Sequence, residues 1–440
     1  MHLTEVVNFL NEANELDTAK NLLRTFEKYA VSIVQYDEIG MLYQKVKAYH
    51  DSMRMLEKCN ELVSDPIQKK AVKANMAKVY NHLNEPLKSI ECSEYNLKLN
   101  SNDYEARMEK AFSYYLYGDS ETSYKIQNEL LEDPNLPIKT RNFITFNMGT
   151  FDMQKGDYKN GLRKTIMKGK EIGLWKPVKV PYIKWDGKPT DKELLVYAEA
   201  GIGDEIINIR FMKHIKEMGV KAYWVGHRKD TNDLFRRNGY DVITPKDIDP
   251  TKKYVYAEAM TLPIVMGLDK GDFWKGSYLA PNEKYVEKWR KILPERFTTL
   301  KWSGNPLYDQ DLHRSVDLKD LIELAKYINL PYVSLQIDDN KYSGDNIINV
   351  DIENWEDTLA IQYLAEINIT SCTSTAHSAS AIGAKTYVLP PICTYYPWIS
   401  LKEDNSSYWY SDMTKVFAQT KHRDWSDPIN KIKELEKKRE

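Results

Sequence analysis

Between residues 367 and 383 the chain reads INITSCTSTAHSASAIG, a short apolar strand pattern that runs into a helix start crowded with hydroxyls. Ser371, Thr373, Ser374, Thr375 and Ser378 stand close together there, with Cys372 and His377 among them. One Ser or Thr at a helix entrance suffices to cap the backbone N–H groups that lack partners in the first turn. The same N–H groups, the positive end of the helix dipole and extra hydroxyls form a seat for phosphate. Taken alone, a capped helix packed through Ala376, Ala379, Ala381 and Ile382 accounts for the stretch. The surplus of polar groups points instead to the diphosphate of an activated donor, which His377 would either contact or merely pack beside.

A second candidate lies at residues 193–205. ELLVYAE reads as a short buried strand, followed by Ala200, Gly201, Ile202, Gly203, Asp204 and Glu205 and then an apolar-periodic helix over 206–218. Strand, glycine turn and helix N-terminus open a doubly wound α/β domain. With only Gly201 and Gly203 the turn is a partial dinucleotide fingerprint, and an acidic pair at a helix start also complements the dipole. Strand patterns follow at 221–226, 241–244 and 254–256, with a short helix over 231–238. A second set of units begins near Pro294. The strand at 297–302 ends in Ser303, Gly304, Asn305 and Pro306, a turn able to present backbone amides at the carboxyl end of a sheet, where α/β ligands bind. Beyond Arg314 come a helix over 318–328, a strand at 331–336 ending in Gln336, a helix over 355–364, the hydroxyl run, and a buried strand at 385–390.

The first 175 residues are helical in pattern throughout, with apolar residues at three-and-four spacing. AKVYNHLN (77–84) and AFSYYLYG (111–118) recur with a shift of about 34 residues, MGTFDMQKGDY (148–158) continues the series, and LYQKVKAY (42–49) reads as an earlier, degenerate copy. A period of that size, with an aromatic first helix and a small residue at the turn, resembles the tetratricopeptide repeat, although its Trp, Gly and Pro positions are mostly not kept; an irregular helical bundle is the competing reading. The Pro- and Trp-rich stretch 173–191 cannot continue a helix and marks a domain junction.

At 440 residues the chain exceeds one ordinary core. Lys+Arg 62 against Asp+Glu 64 gives a net charge of −2, which offers no global attraction to nucleic acid or anionic lipid. No apolar run approaches the roughly 18 residues of a membrane span, and the first residues lack the basic opening and apolar run of a signal peptide. Cys59, Cys92, Cys372 and Cys393 are scattered without metal-binding spacing, which suits a reducing cytosol. The acid pairs Asp247/Asp249 and Asp338/Asp339 read as solvated loops rather than a metal site.

Taken together, the α/β pieces resemble the C-terminal domain of repeat-containing bacterial glycosyltransferases related to the lipopolysaccharide heptosyltransferases, which have the two-Rossmann GT-B fold. The matching stretches occur in that family's order: LLVYAEAGIGDEIINIRF (194–211), MTLPIVMG (260–267), GSYLAP (276–281), KWSGNPLYDQDLHRS (301–315), VSLQ (333–336), EDTLAIQYL (356–364), ITSCTSTAHSASAIGAKTYVLPP (369–391) and SSYWYSDMTKVF (406–417). The resemblance implies sugar transfer from a nucleotide-diphosphate co-substrate, with no metal and no other cofactor. It places Ser303, Asn305, Arg314, Gln336, Thr373, Ser374, Thr375 and His377 around the donor. Asp204 matches the acid that heptosyltransferases use as general base, since an inverting attack by a hydroxyl needs one carboxylate to accept its proton; Glu205 is its local rival. Cys372 stands where the family often has Asp, and Lys301 where it has an apolar residue.

The expected architecture is thus a TPR-like helical domain (1–175), an N-terminal Rossmann-like module on the acceptor side (190–285) and a C-terminal Rossmann-like donor module (294–440), with a cleft between the modules. The expected function is a cytoplasmic, metal-independent, inverting glycosyltransferase acting on a protein, peptide or glycan hydroxyl presented by the repeats. A non-catalytic TPR scaffold with a degenerate transferase domain is the alternative. A DNA-modifying sugar transferase is disfavoured by the absence of a basic stripe.

Overall fold

The computed structural model describes residues 2–337, 347–399 and 401–437. Its contacts divide the chain into two units, Met1–Arg141 with Asn305–His313, and Asn142–Gly304 with Arg314–Glu440. Asp338 and Asp339 lie outside the described residues.

The first unit is a series of helix pairs: Leu3–Glu12 with Leu16–Glu27, Ile33–Lys45 with Tyr49–Leu62, Pro66–His82 with Pro86–Leu99, and Tyr104–Tyr117 with Ser120–Glu132. One residue in the left-handed backbone region makes the turn inside each pair: Asn14 (φ 61°), Lys47 (58°), Asn84 (58°) and Gly118 (105°). In the second unit, to which all but its first residues belong, a fifth pair, Ile138–Gln154 with Tyr158–Glu171, turns in the same way at Gly156 (φ 89°). Gly and Asn adopt this conformation at least cost, which is why the turns at 84, 118 and 156 were visible as a sequence period. The acid after each of the last two restarts the helix: Asp119 accepts the Thr122 N–H at 3.0 Å and Asp157 that of Asn160 at 3.2 Å. In the degenerate copy 42–49 the counterpart of Asn84 is Lys47. The pair turning at Asn14 lies upstream of any copy found in the sequence. Val7, Leu23, Leu42, Tyr43 and Met55 form one apolar cluster and Leu56, Cys59, Val72, Met76 and Val79 the next, so that each pair buries its face against its neighbour.

The second unit holds two wholly parallel sheets. The first contains β1 (Ile183–Lys184), β2 (Glu193–Tyr197), β3 (Ala222–Val225), β4 (Val242–Ile243) and β5 (Tyr254–Glu258) in the order β1-β5-β2-β3-β4. The second contains β6 (Thr298–Lys301), β7 (Tyr332–Ser334), β8 (Ile347–Asn349), β9 (Ile367–Ser371), β10 (Thr386–Leu389) and β11 (Thr414–Val416) in the order β11-β10-β9-β6-β7-β8. In register, Leu194 lies beside both Ala222 and Val255, and Thr298 beside both Tyr332 and Ile367. The winding reverses between β2 and β5 in one sheet and between β6 and β9 in the other. Those reversals leave a crevice at the strands' carboxyl ends, the ligand position of open α/β sheets. The fold class is therefore a TPR-like helical array with an α/β portion of two Rossmann-like modules. Among the described residues, no helix is long and apolar enough to cross a membrane.

One element departs from the sequence reading. The single helix expected over 206–218 is two, Ile202–Asn208 and Phe211–Glu217, interrupted at Ile209 and Arg210. Arg210 is buried, and its guanidinium donates to the carbonyls of Ile207 (2.8 Å), Phe273 (3.2 Å) and Trp409 and to the Tyr278 hydroxyl (2.7 Å). Around it one apolar core continues from Leu194, Val196 and Phe211 through Phe273 to Ala376, Val388, Trp398, Trp409 and Tyr410, and includes Tyr158, Leu162 and Ile166. The two modules are joined by packing over this area rather than separated by an open gap.

Candidate active site

The sequence-selected residues fall largely on the two switch points. After β2 the chain turns at Ala200 and Gly201 into the helix Ile202–Asn208, and this helix packs directly on Ser374–Ala381, which follows β9. Gly203 stands at the point of closest approach: a Cβ there would lie 3.1 Å from Cδ2 of His377, a tight contact, and 3.6 Å from Cα of Ser374. The meeting of these helices brings Asp204 to the second module. One carboxylate oxygen accepts the Gly201 N–H at 2.9 Å, and the other accepts the hydroxyl of Tyr395, in the loop after β10. Asp204 therefore does cap its own turn, and it also reaches across to the other sheet's loops. Burial holds its pKa above the ordinary carboxylate value, while the bonds from Tyr395 and Gly201 pull the other way.

Glu205 is placed differently. It is fully buried, ion-paired with Arg228, and accepts the Thr231 hydroxyl at 2.7 Å. Arg228 also donates to the Ala200 carbonyl at 2.8 Å, so this pair braces the glycine turn from behind. A carboxylate tied on both oxygens inside the core is not available to a substrate.

The hydroxyl run is mostly turned inward. Thr373 and Thr375 are buried, with their hydroxyls 2.6 Å apart, and Thr375 lies 2.9 Å from the Thr370 hydroxyl. Ser378 donates to the Gln362 side chain at 2.7 Å, and Gln362 in turn donates to the Thr375 carbonyl at 2.9 Å. Ser371 is buried, with no partner for its hydroxyl among the described residues. Ser374 stays half-exposed at the helix entrance, and Thr373, the N-cap, makes no side-chain cap bond. His377 is buried, stacks on Trp398 (centroids 5.0 Å apart) and meets the Tyr410 hydroxyl at 2.7 Å. Burial, with Arg210 and Arg314 nearby, pushes its pKa down to about 3, so at neutral pH it is an uncharged packing group. The Cys372 thiol is buried and pushed up to about 11, which leaves it protonated.

Ser303 and Gln336 bind each other at the ends of β6 and β7. The Gln336 amide donates to the Ser303 hydroxyl at 2.8 Å and accepts the Ser303 N–H at 3.3 Å. Arg314 is half-buried, donates to the Cys372 carbonyl at 3.2 Å and lies close enough to His377 to lower its pKa. The Cys372 thiol is raised by burial first, with the Asp204 charge adding to the rise and the Arg314 charge opposing it. Asn305 is not part of this group. Its side chain accepts the Leu307 N–H at 2.9 Å, and it belongs with the helical unit. The acids Asp247 and Asp249 close their own turns, accepting the Thr244 N–H at 2.8 Å and the Thr251 N–H at 2.9 Å.

Sequence reasoning missed Tyr395 and Arg210. The signal for the first was TYYPW (394–398), an aromatic cluster in a loop where turn residues are expected. That for the second was a lone arginine inside the apolar run INIRF (207–211). A cavity of about 390 Å³ lined by Pro294, Ala325, Asn329 and Pro331 lies at the amino ends of the second sheet, opposite the switch points.

No family model matches the chain, and no curated protein matches it. Solved structures that match include YrrB, a TPR protein with an unusual peptide-binding site, at 18% identity over 39% of this chain and 85% of that one, with a TM-score of 0.27. MamA matches at 12% identity over 41% of this chain and 96% of that one, TM-score 0.29. The dodecameric iron-containing heptosyltransferase TibC, in complex with ADP-D-beta-D-heptose, matches at 10% identity over 51% of this chain and 66% of that one, TM-score 0.36. The matches thus include TPR proteins and a heptosyltransferase.

Proposed function

We propose that the α/β unit is a cytoplasmic glycosyltransferase that moves a sugar, with inversion and without a metal, from a nucleotide-diphosphate donor to a hydroxyl of a protein, peptide or glycan. What supports this reading is the placing of Asp204 and Arg314 after the switch-point strands of two different parallel sheets, where Arg314 donates to the Cys372 carbonyl and Asp204 accepts the Tyr395 hydroxyl in the loop after β10. In the reaction, the acceptor oxygen gives its proton to Asp204 and forms a bond to the anomeric carbon. The bond from that carbon to the diphosphate oxygen breaks, and its electron pair leaves with the diphosphate. A carboxylate held above its ordinary pKa is a better base than an exposed one. Arg314 and the backbone N–H groups of the first turn at the Ser374 helix entrance supply the fixed positive potential that the departing diphosphate needs. Ser303 and Gln336 are donor contacts in this reading, with Gln336 directed to the base or ribose. Thr373, Thr375 and His377 shape the helix entrance from within, and the helical array receives the acceptor.

The alternative, a non-catalytic TPR scaffold, draws support from the hydroxyls of Thr373 and Thr375 being bonded to each other. A screen of nucleotide sugars by thermal stabilisation, followed by donor hydrolysis, separates the two. Stabilisation with turnover that is lost in Asp204→Asn is expected. Stabilisation without turnover indicates a lapsed enzyme, and no stabilisation by any donor indicates the scaffold.

A further inference from the structure

The helical unit contains nine residues that are remote from it in sequence, Asn305–His313. They are held at two successive turns of the helix pairs. From the turn at Lys47, the ammonium donates to the Leu307 carbonyl at 2.7 Å and pairs with Asp309 at 3.0 Å, while the Tyr49 hydroxyl donates to Asp309 at 2.8 Å. The Tyr49 ring stacks on His82, with centroids 4.2 Å apart and planes 7° from parallel. From the turn at Asn84, the Asn84 amide reaches the Leu312 carbonyl at 3.5 Å, and His313 lies 2.9 Å from the Asn81 carbonyl, which requires a proton on its Nε2.

Lys47 is unusual among the turn residues. Its counterparts are Asn14, Asn84, Gly118 and Gly156, residue types that tolerate the left-handed conformation, whereas lysine does not favour it. A lysine kept in that conformation, with its side chain spent on Leu307 and Asp309, is a place where local preference gives way to a contact.

The residues on either side of this segment belong to the candidate site. Ser303 and Gly304 precede it and Arg314 follows it, and the Val316 N–H donates to the Trp302 carbonyl at 2.9 Å where the two ends meet. We propose that Lys47 and Tyr49 are positioning residues for Ser303 and Arg314, acting through Asp309: the repeat turn fixes the segment and the segment fixes its two ends. This rests on the reading of Arg314 as the group that receives the diphosphate. Under it, a partner that engages the turn at Lys47 alters donor binding without touching the donor.

Hydrogen exchange on the full chain tests this, with the Val316 amide as a reporter that needs no donor. Lys47→Glu sets a carboxylate against Asp309 and is expected to speed exchange across 305–313 and at Val316 by about fivefold, the scale of a partly exposed ion pair. The double variant Lys47→Glu/Asp309→Lys restores both. Tyr49→Phe removes one bond and shifts both in the same direction by less, which covers the case in which the charge reversal disturbs folding. Faster exchange over 305–313 with Val316 unchanged overturns the proposal, as does no change in either. The affinity for a panel of nucleoside diphosphates (ADP, UDP, GDP) is expected to fall and recover in step with Val316. If the wild type binds none of them, the glycosyltransferase reading fails while the Val316 comparison still decides the positioning role.

Discussion

Tyr395→Phe isolates the bond that joins Asp204 to the second module. The carboxylate's pKa is raised by burial and held back from rising further by the Tyr395 hydroxyl and the Gly201 N–H. A hydrogen bond to a charged group contributes about 1.5–3 kcal/mol. At about 1.36 kcal/mol per tenfold change in proton affinity, its full loss would raise the pKa by roughly one to two. Asp204 is half-buried, so water replaces part of the bond and about one pH unit remains. A general base works only when deprotonated, so the acidic limb of kcat/KM for donor consumption moves to higher pH. Well above the limb the variant and wild type converge, and below it the variant falls to about one-tenth of wild type. Profiles from pH 4 to 9 at saturating acceptor measure this. A limb that stays in place, or moves to lower pH, refutes the assignment of Asp204 as the base and of Tyr395 as the group that tunes it.

Other substitutions probe the same arrangement. Because burial raises the folded-state pKa of Asp204, its ionisation opposes folding: the penalty is absent below the unfolded value of about 3.9 and grows as pH rises through the folded value. Asp204→Asn is therefore expected to abolish turnover yet raise the melting temperature at pH 7, with the gain vanishing near pH 3.5. Glu205→Gln breaks the pair with Arg228, whose exposed side limits the loss to about 2 kcal/mol in urea unfolding, and, by removing a negative charge that raises the Asp204 pKa, moves the acidic limb of turnover slightly to lower pH. Arg210→Lys replaces a planar guanidinium that reaches four acceptors from three nitrogens with a single ammonium that cannot span them all, and is expected to cost about 3 kcal/mol by the same measurement. A stability within 1 kcal/mol of wild type would mean that this guanidinium is dispensable.

The parts of the fold legible in the sequence were those fixed by short-range pattern. The helices Leu318–Ile328 and Trp355–Leu364 occupy the expected residues, because each has an acid or amide cap, Asp317 or Asn354, ahead of a helical pattern. The turns at 84, 118 and 156 showed through because Asn and Gly advertise a left-handed backbone; Lys47 does not, and its copy read only as a degenerate one. At the site, the glycine turn, Asp204 and the hydroxyl run were found by type and spacing. Their partners were not, because a hydroxyl's partner is a tertiary fact. Gln362 sits on a separate helix and takes up Ser378, which turned a supposed ligand group into an internal tie. Asp204 and Glu205 are adjacent and chemically alike, and only the fold distinguishes them: one faces Tyr395 and the other Arg228. Strands β1, β8 and β11 span two or three residues each, too short for alternation to register.

Arg210 bears on how this molecule can move. A single guanidinium bonds carbonyls from Phe273 on one side and Trp409 on the other, with the rings of Tyr278 and Tyr410 each 4.5 Å from its centre. Swinging the sheets apart as rigid blocks would take the Trp409 carbonyl and the Tyr410 ring from a buried cation that keeps only Ile207, Phe273 and Tyr278, so the hinge motion open to many two-domain enzymes carries a cost at this point. Motion of the loops beyond the strand ends leaves these bonds in place and is the less costly route for access and release.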